Sequence, residues 1–278
     1  MFTSNPFSDL AAFISPEVMQ AYVVIMVLLV IGGTLLDVMH KKSAQYFFEN
    51  AQKAKKAATR ELSGAQKGTI ALQTLTNEIL TSSEFCNPRR RLSHLLTMYG
   101  FVTFIATTAM MIFAYPGAGD ATPGILPFLW HLGALSLCIG GYWFWFGIRV
   151  DLTSEGNPWY RVIRADLFIL SLLATCSFAL IWSATQGSAA GWLFFGLFIG
   201  SSTVLFGGVL WSKFAHMFFK PAAAFQKRVT VADGSRENLP ELADRQNPAD
   251  RDRHSMALLK DAPLDMGLGI KREAPRHY

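Results

Sequence analysis

Long apolar stretches separate the polar segments of this chain, and the apolar residues within them follow one another without alternation. A bilayer core about 30 Å thick requires roughly 20 apolar residues in an α-helix. Because the stretches are continuous, they predict membrane-spanning helices rather than the alternating strands of a barrel. Five stretches have the required length, and they cover residues 18–40, 92–115, 125–148, 165–185 and 191–217.

The composition agrees with this pattern. Of the 278 residues, 51% are hydrophobic and 16% are charged, a balance typical of a membrane protein. The three cysteines, Cys86, Cys138 and Cys176, lie far apart in the chain. We therefore expect neither a self-contained iron–sulfur or zinc site nor a disulfide framework. The sequence contains no glycine-rich nucleotide-binding motif, and we expect no binding of nucleic acid.

Basic residues are distributed asymmetrically around the five spans. All 25 lysines and arginines lie at the end of, or after, spans one, three and five. Residues 1–17 and the loops after spans two and four carry none. Because basic loops stay on the cytoplasmic side of the inner (cytoplasmic) membrane, this distribution predicts an external N-terminus and a cytoplasmic C-terminus.

Two polar segments are therefore expected in the cytoplasm. Loop 41–91 is basic and rich in helix-forming residues, with a break near Ser63 and Gly64, and it predicts a helical hairpin that lies on lipid or receives a partner protein. Residues 218–278 carry charges of both signs without an apolar period, so we expect a largely disordered tail for docking or for solubility. Residues 1–217, including the loop, then form an all-α integral membrane domain, a five-helix transmembrane bundle.

Six acidic or histidine side chains lie within the spans or at their ends, and such groups at membrane depth indicate function. They are Asp37, His40, His94, His131, Asp166 and His216. His94 begins span two and His216 ends span five, so both are expected at one depth on the cytoplasmic side. Two imidazoles that face each other across helices are what a haem with two axial histidines requires.

The residues around this histidine pair suit a haem. Gly208 and Ser212 are expected on the same helix face as His216, where they leave space for a flat macrocycle. Arg89, Arg90 and Arg91 come just before His94 and are placed to bind haem propionates. The alternative is that both histidines only anchor their helix ends at the membrane interface.

The other polar positions have simpler interpretations. His131 has no partner at its depth, so it is an interfacial or helix-packing residue or a carrier of protons. Asp37 and His40 either form a proton path or end a helix at the interface. Gly196 and Gly200 form a GxxxG motif, which predicts close packing of span five against another helix.

Two stretches, EILTSSEFCNPRRRLSHLLTMYGFVTFIATT and WSKFAHMFFKPAAAFQKR, resemble a family of respiratory membrane subunits. The family includes the gamma subunit of respiratory nitrate reductase and the membrane subunits of heterodisulfide reductase and related complexes. Within it, the chain is most similar to the membrane anchor of dissimilatory adenylylsulfate reductase in sulfur oxidisers. The resemblance covers about residues 90–221. It implies exchange of electrons between membrane quinones and a cytoplasmic flavin or iron–sulfur reductase.

The resemblance implies one haem at most. His94 and His216 match the cytoplasmic pair of family histidines, whereas Phe104 and Phe198 stand where a second pair would lie. We therefore expect one haem b, quinone as the substrate, and a subunit of an oxidoreductase complex that either interacts with quinone or is not catalytic itself. A haem-free anchor of the same complex is the first alternative. A small transporter subunit is the second, although inverted repeats and charged midplane helices are lacking.

Overall fold

The computed structural model describes residues 2–40, 43–83, 85, 87–149, 159–237, 239 and 247–249, and these residues form helices and no strand. Five helices are long and apolar enough to cross a membrane, as predicted, and the shortest has 19 residues, a rise of about 28 Å. The main helices are α1 (Pro6–Leu10), α2 (Pro16–His40), α3 (Ser43–Ala57), α4 (Gly64–Thr74), α5 (Pro88–Ala114), α6 (Ile125–Trp143), α7 (Leu167–Thr185), α8 (Ala189–Gly207) and α9 (His216–Ala232). The spans are α2, α5, α6, α7 and α8.

Short irregular turns extend three of these helices. A π-helical turn, Leu75–Leu80, continues α4, and another, Phe144–Ile148, continues α6. A 3₁₀ turn, Arg164–Asp166, leads into α7. With these turns the third and fourth spans run over Ile125–Ile148 and Arg164–Thr185, so both agree closely with the spans predicted from the sequence.

Helices α5 and α6 pack backbone to backbone. A Cβ atom added at Gly100 would lie 2.6 Å from the Leu137 nitrogen and 2.7 Å from the Gly133 oxygen. One added at Gly140 would lie 2.6 Å from the Ser93 oxygen, and the Ser93 hydroxyl donates to the Gly140 carbonyl at 2.8 Å. Only glycine permits this approach, which increases dispersion contacts between helices that gain little hydrophobic energy in lipid.

The GxxxG motif of the fifth span packs closely against no helix in the described part of this chain, so the prediction was wrong for packing within that part. A Cβ atom added at Gly196 or Gly200 would meet no atom within 4 Å. Helix α8 instead packs on α7 through aromatic side chains, and the rings of Trp182 and Phe198 stack with their centroids 5.7 Å apart. Spacing along the sequence identified a small-residue face but not the side of the helix that faces its neighbour.

An aromatic cluster fills the core at the end of the spans near the N-terminus. Trp130 is fully buried there, and its ring centroid lies 5.2 Å from that of Phe104. Phe7 of α1 makes edge contacts with Trp130 and Trp182, at 5.9 Å and 5.3 Å between centroids. Helix α1 therefore closes this end of the core with an apolar side chain.

Hydrogen bonds hold the N-terminal segment against two loops. The Asn5 amide donates to the Tyr115 carbonyl at 3.2 Å, and the Gln186 amide donates to the Pro6 carbonyl at 2.8 Å. The segments without basic residues therefore lie together at one end of the spans, as their charge pattern predicts. The assignment of that end to the outside of the cell stays a prediction.

The fifth span ends at Gly207, well before the predicted end at residue 217. Gly207 and Gly208 follow each other, and glycine lowers helix propensity by about 1 kcal/mol per residue relative to alanine. A 3₁₀ turn, Val209–Trp211, and the extended residue Ser212 come next. His216 consequently begins α9 instead of ending the fifth span, and Gly208 and Ser212 do not continue its helix face.

The two helices predicted for the hairpin and the break between them are confirmed, whereas the packing of one on the other stays a prediction. Helix α3 ends at Ala57 and α4 begins at Gly64, and the break falls where the sequence placed it. The Gln66 backbone N–H donates to the Ser63 hydroxyl at 3.2 Å, and the Ser63 N–H donates to the Gln66 side chain at 2.8 Å. This reciprocal capping box satisfies two N–H groups that the first turn of a helix leaves unpaired.

Helix α9 packs on this hairpin, and we call residues 43–83 and 216–237 together the helical cap. The backbone N–H groups of Thr59 and Arg60 donate to the Asp233 carbonyl at 3.0 Å and 3.2 Å. Gly234, just after the end of α9, has a φ of +78°, in the left-handed region that favours glycine. It lies directly against Thr59. The Arg228 guanidinium pairs with the Glu78 carboxylate at 2.7 Å.

The cap changes our expectation for the tail. Residues 218–232 are helical and packed, whereas the sequence predicted disorder from residue 218 onward. The sequence of α9 was too short and too polar to be recognised as a helix without the hairpin surface on which it packs. Most of the remaining tail, including the apolar stretch 255–270, lies outside the described residues, and its docking role stays a prediction.

Candidate functional site

His94 lies in the second turn of α5, at the end of the spans that carries the cap. The Asn87 side chain caps this helix by accepting the Arg89 N–H at 2.9 Å. The His94 Nδ1 is 3.1 Å from the hydroxyl of Ser82, and its ring centroid is 4.9 Å from that of Phe85. Ser82 is fully buried and has a φ of +47°, a region that serine rarely adopts. The segment before α5 is therefore folded against the imidazole.

The three arginines before His94 have different surroundings. Arg89 is exposed, and Arg90 is half-buried. The Arg91 Nε–H donates to the Thr81 carbonyl at 2.7 Å, and this bond joins the segment that follows α4 to the start of α5. Binding of haem propionates by these arginines stays a prediction. Cys86 lies outside the described residues.

His216 is exposed at the start of α9. Its Nδ1 is hydrogen-bonded to the Lys213 carbonyl, and its ring makes an edge contact with Phe168 of α7 at 5.6 Å between centroids. The contact with Phe168 joins α9 to the first turn of the fourth span. His216 therefore lies at the cap end of the spans, the same end as His94.

Phe85 brings the two histidine-bearing helices together. Its ring contacts the His94 imidazole, and the Lys220 ammonium lies 5.0 Å from its centroid. Lys220 follows His216 by one helical turn, since both are in α9. Sequence reasoning missed Phe85, and its only signal was a large aromatic residue in an otherwise polar loop. The cation–π contact connects the cap to the start of α5.

Both imidazoles suit a metal in their donor chemistry. Each uses Nδ1 in a local hydrogen bond, His94 with Ser82 and His216 with the Lys213 carbonyl. A metal-binding histidine usually has its second ring nitrogen fixed in this way, which orients the ring. The two rings pack on aromatic residues of different segments. Their pairing across one iron therefore stays a prediction.

His131 is a helix-packing residue, one of the interpretations that the sequence left open. It is buried, its Nδ1 lies 2.7 Å from the Pro127 carbonyl, and its Nε2 lies 2.8 Å from the Ser183 hydroxyl. Because a carbonyl can only accept, Nδ1 carries the proton and the serine hydroxyl donates to Nε2. The imidazole thus ties α6 to α7.

The other ionisable residues divide between burial and exposure. Asp37 is buried within α2, whereas His40 is exposed at the end of that helix. Asp166 accepts from the Arg149 guanidinium at 2.6 Å, and that guanidinium lies 4.0 Å from the centre of the Trp145 ring. Asp166 therefore has a structural role, because it joins the start of the fourth span to the end of the third.

The cap has a basic surface with exposed leucines. Lys53, Lys55 and Lys56 project from α3 and are exposed. Leu72 of α4 and Leu75 of the π-helical turn that continues it are also exposed, at 61% and 43% of their surface. Exposed large apolar side chains beside charges are typical of a surface that contacts a protein or a membrane.

Loss of the Arg228–Glu78 ion pair is expected to destabilise the helical cap. In Arg228→Ala, we expect helix α4 to become less stable by about 1 kcal/mol, because this pair is partly shielded from solvent. Hydrogen exchange of the amides in residues 64–80 measures the change. Lys67→Ala removes an exposed positive charge from the same helix and is the control. Equal exchange in the two variants would show that the pair contributes nothing.

No protein-family model, no curated protein and no solved structure matches this chain. The resemblance to respiratory membrane subunits therefore depends on the two sequence stretches that carry it. The function proposed below depends on those stretches, on the five membrane-spanning helices and on the geometry of the cap.

Proposed function

We propose that this chain is the membrane subunit of an oxidoreductase complex of the inner membrane. It holds a cytoplasmic sulfur-metabolism reductase, similar to adenylylsulfate reductase, beside the quinone pool. The observation that carries the proposal is the helical cap, a folded polar unit at one end of five apolar helices. In the cap, Arg228 and Glu78 are 150 residues apart in the sequence and form an ion pair. A chain that only crossed the membrane would not need such a folded unit.

The surface of the cap supports a protein partner. Its exposed lysines on α3 favour an acidic surface, and charge complementarity mainly increases the rate and specificity of association. Leu72 and Leu75 would supply apolar surface that a partner buries on binding. The remaining tail would add a second contact and raise the overall affinity.

The second part of the proposal concerns haem binding by the two histidines. His94 and His216 would hold one b-type haem, and Arg89, Arg90 and Arg91 would bind its propionates. A bound haem would accept and release single electrons. Ser82 and the Lys213 carbonyl would orient the two imidazoles through the hydrogen bonds that they already make. A haem-free anchor of the same complex is the alternative.

Purification tests the docking function. When the chain is extracted in mild detergent, we expect a cytoplasmic flavin or iron–sulfur enzyme to purify with it. The double variant Leu72→Glu, Leu75→Glu is expected to retain at least about tenfold less of that enzyme than the wild-type chain, because both side chains would lie in the interface. Flavin absorbance per membrane subunit measures the retained enzyme.

The matched control is the double variant Gln73→Glu, Thr76→Glu, which places the same two charges at other exposed positions of the same segment. It should retain the enzyme. If the wild-type chain brings down no flavin or iron–sulfur enzyme, the docking function is wrong. If both double variants lose the enzyme equally, the leucine surface is not the interface.

A further inference from the structure

An elongated cavity of about 300 Å³ lies between α2, α5 and α8. Along α2 its lining extends from Met19 to Ile31, a distance of about 18 Å at 1.5 Å per residue. Phe7 lines the end near α1, whereas Phe214 and Phe218 line the end near the cap. The cavity is therefore a long slot that follows the direction of the membrane-spanning helices.

The side chains of the lining offer no free hydrogen-bond donor. None of its residues is charged, and none is histidine, asparagine or glutamine. Four hydroxyl side chains reach it, and each donates to a backbone carbonyl. These bonds join Tyr22 to Ile199 at 3.1 Å, Thr108 to Phe104 at 2.7 Å, Thr175 to Ser171 at 2.8 Å and Ser202 to Phe198 at 2.6 Å. Because these hydroxyl protons are engaged, the carbonyl groups of a quinone ring would find no side-chain donor here.

The walls of the cavity are fixed, so they cannot close it. The Gln20 amide donates to the Ile112 carbonyl at 3.2 Å, which ties α2 to α5 near one end. Towards the other end, Gly33 approaches Val209 so closely that an added Cβ atom would lie 2.8 Å from the valine Cβ. Helix α2 is thus attached to neighbouring segments near both ends of the slot.

The slot is open along part of its length. Val27, Ile31 and Phe218 line it and expose 52%, 51% and 49% of their surface. In a membrane this opening faces lipid, and an acyl chain that enters the slot gains dispersion contacts with its apolar walls. The lining therefore favours a hydrocarbon as the occupant.

We propose that the slot binds one acyl chain of an anionic phospholipid. Its length of about 18 Å is close to half the thickness of a bilayer core, which is the reach of one chain in one leaflet. At the cap end, Lys213 is exposed and directly precedes the lining residue Phe214. An acyl chain in the slot would place its phosphate against this lysine. The proposal does not depend on the redox partner.

Filling the slot tests the binding of the chain. Ala109 of α5 lines the cavity, and Ala109→Trp would occupy the space of the acyl chain. Ala106→Trp is the control, since Ala106 is exposed on the same helix. Native mass spectrometry of the purified full chain is expected to show one phospholipid on the wild type and on Ala106→Trp. Ala109→Trp should retain about tenfold less.

A second measurement remains informative if Ala109→Trp fails to fold. The wild-type chain is stripped of lipid with excess detergent, and its thermal midpoint is measured before and after phosphatidylglycerol or phosphatidylcholine is added. Phosphatidylglycerol is expected to raise the midpoint more. This preference should disappear in Lys213→Gln and persist in Lys67→Gln, which removes an exposed lysine of α4.

Three results would overturn the proposal. The wild-type chain could carry no lipid, or it could carry a quinone instead of a phospholipid. Alternatively, both tryptophan variants could retain the phospholipid equally, which would mean that it binds outside the slot. Equal stabilisation by phosphatidylglycerol and phosphatidylcholine would overturn the assignment of an anionic headgroup to Lys213.

Discussion

Gly100→Val is expected to destabilise the membrane-spanning part of the protein by about 3 kcal/mol or more, the upper end of the usual cost of overpacking. The added Cβ atom would lie 2.6 Å from the backbone nitrogen of Leu137, so no side-chain rotation can relieve the overlap. The two helices would have to move apart, and the hydrogen bond from Ser93 to the Gly140 carbonyl would be strained with them. Loss of dispersion contacts along the whole α5–α6 interface explains the size of the effect.

Gly196→Val is the matched control for this prediction. It makes the same substitution within a membrane-spanning helix, but an added Cβ atom there would meet nothing within 4 Å. Thermal unfolding in detergent, followed by tryptophan fluorescence, should show a large decrease in the midpoint for Gly100→Val and little change for Gly196→Val. Equal midpoints for the two variants would contradict the close packing of α5 on α6.

If the proposed haem is bound, His94→Ala and His216→Ala are each expected to abolish its b-type absorbance in the purified protein. An axial imidazole cannot be replaced by a methyl group, and a b-type haem is held without a covalent bond to the protein. The reduced-minus-oxidised spectrum measures the haem through its alpha band. A complete loss in both single variants is the expected result, because each would leave the iron with one axial ligand.

His40→Ala is the control for the two haem variants, because His40 is exposed at the end of α2 and has no proposed ligand role. It should leave the alpha band unchanged. Absence of the band from the wild-type complex would eliminate the haem and select the haem-free anchor. Retention of the band in either His94→Ala or His216→Ala would show that a different side chain binds the iron.

Ser82 has a role in the structure that the sequence did not reveal. Nothing in the sequence distinguished it from its neighbours, yet it is fully buried and hydrogen-bonded to His94. The same holds for Ser183, whose hydroxyl donates to the Nε2 of His131 from a different helix. Partners of this kind come from remote parts of the chain, and the periodicity of a single segment contains no information about them.

The existence of five membrane-spanning helices follows from the sequence alone. Runs of about 20 apolar residues have to become helices in a membrane, since lipid offers no partner to an open backbone hydrogen bond. The break between α3 and α4 is equally local, because Ser63 caps the helix that starts after it. Hydropathy and capping act over a few residues, so one segment contains the whole signal.

Only the tertiary structure decided how these helices fit together. It placed the close packing at Gly100 and Gly140 instead of the GxxxG motif. It also folded the start of the tail into the cap, through contacts between Thr59 and Asp233. Each of these outcomes depends on two surfaces that are distant in the sequence. Their energy comes from fit across an interface, which no pattern within a single helix encodes.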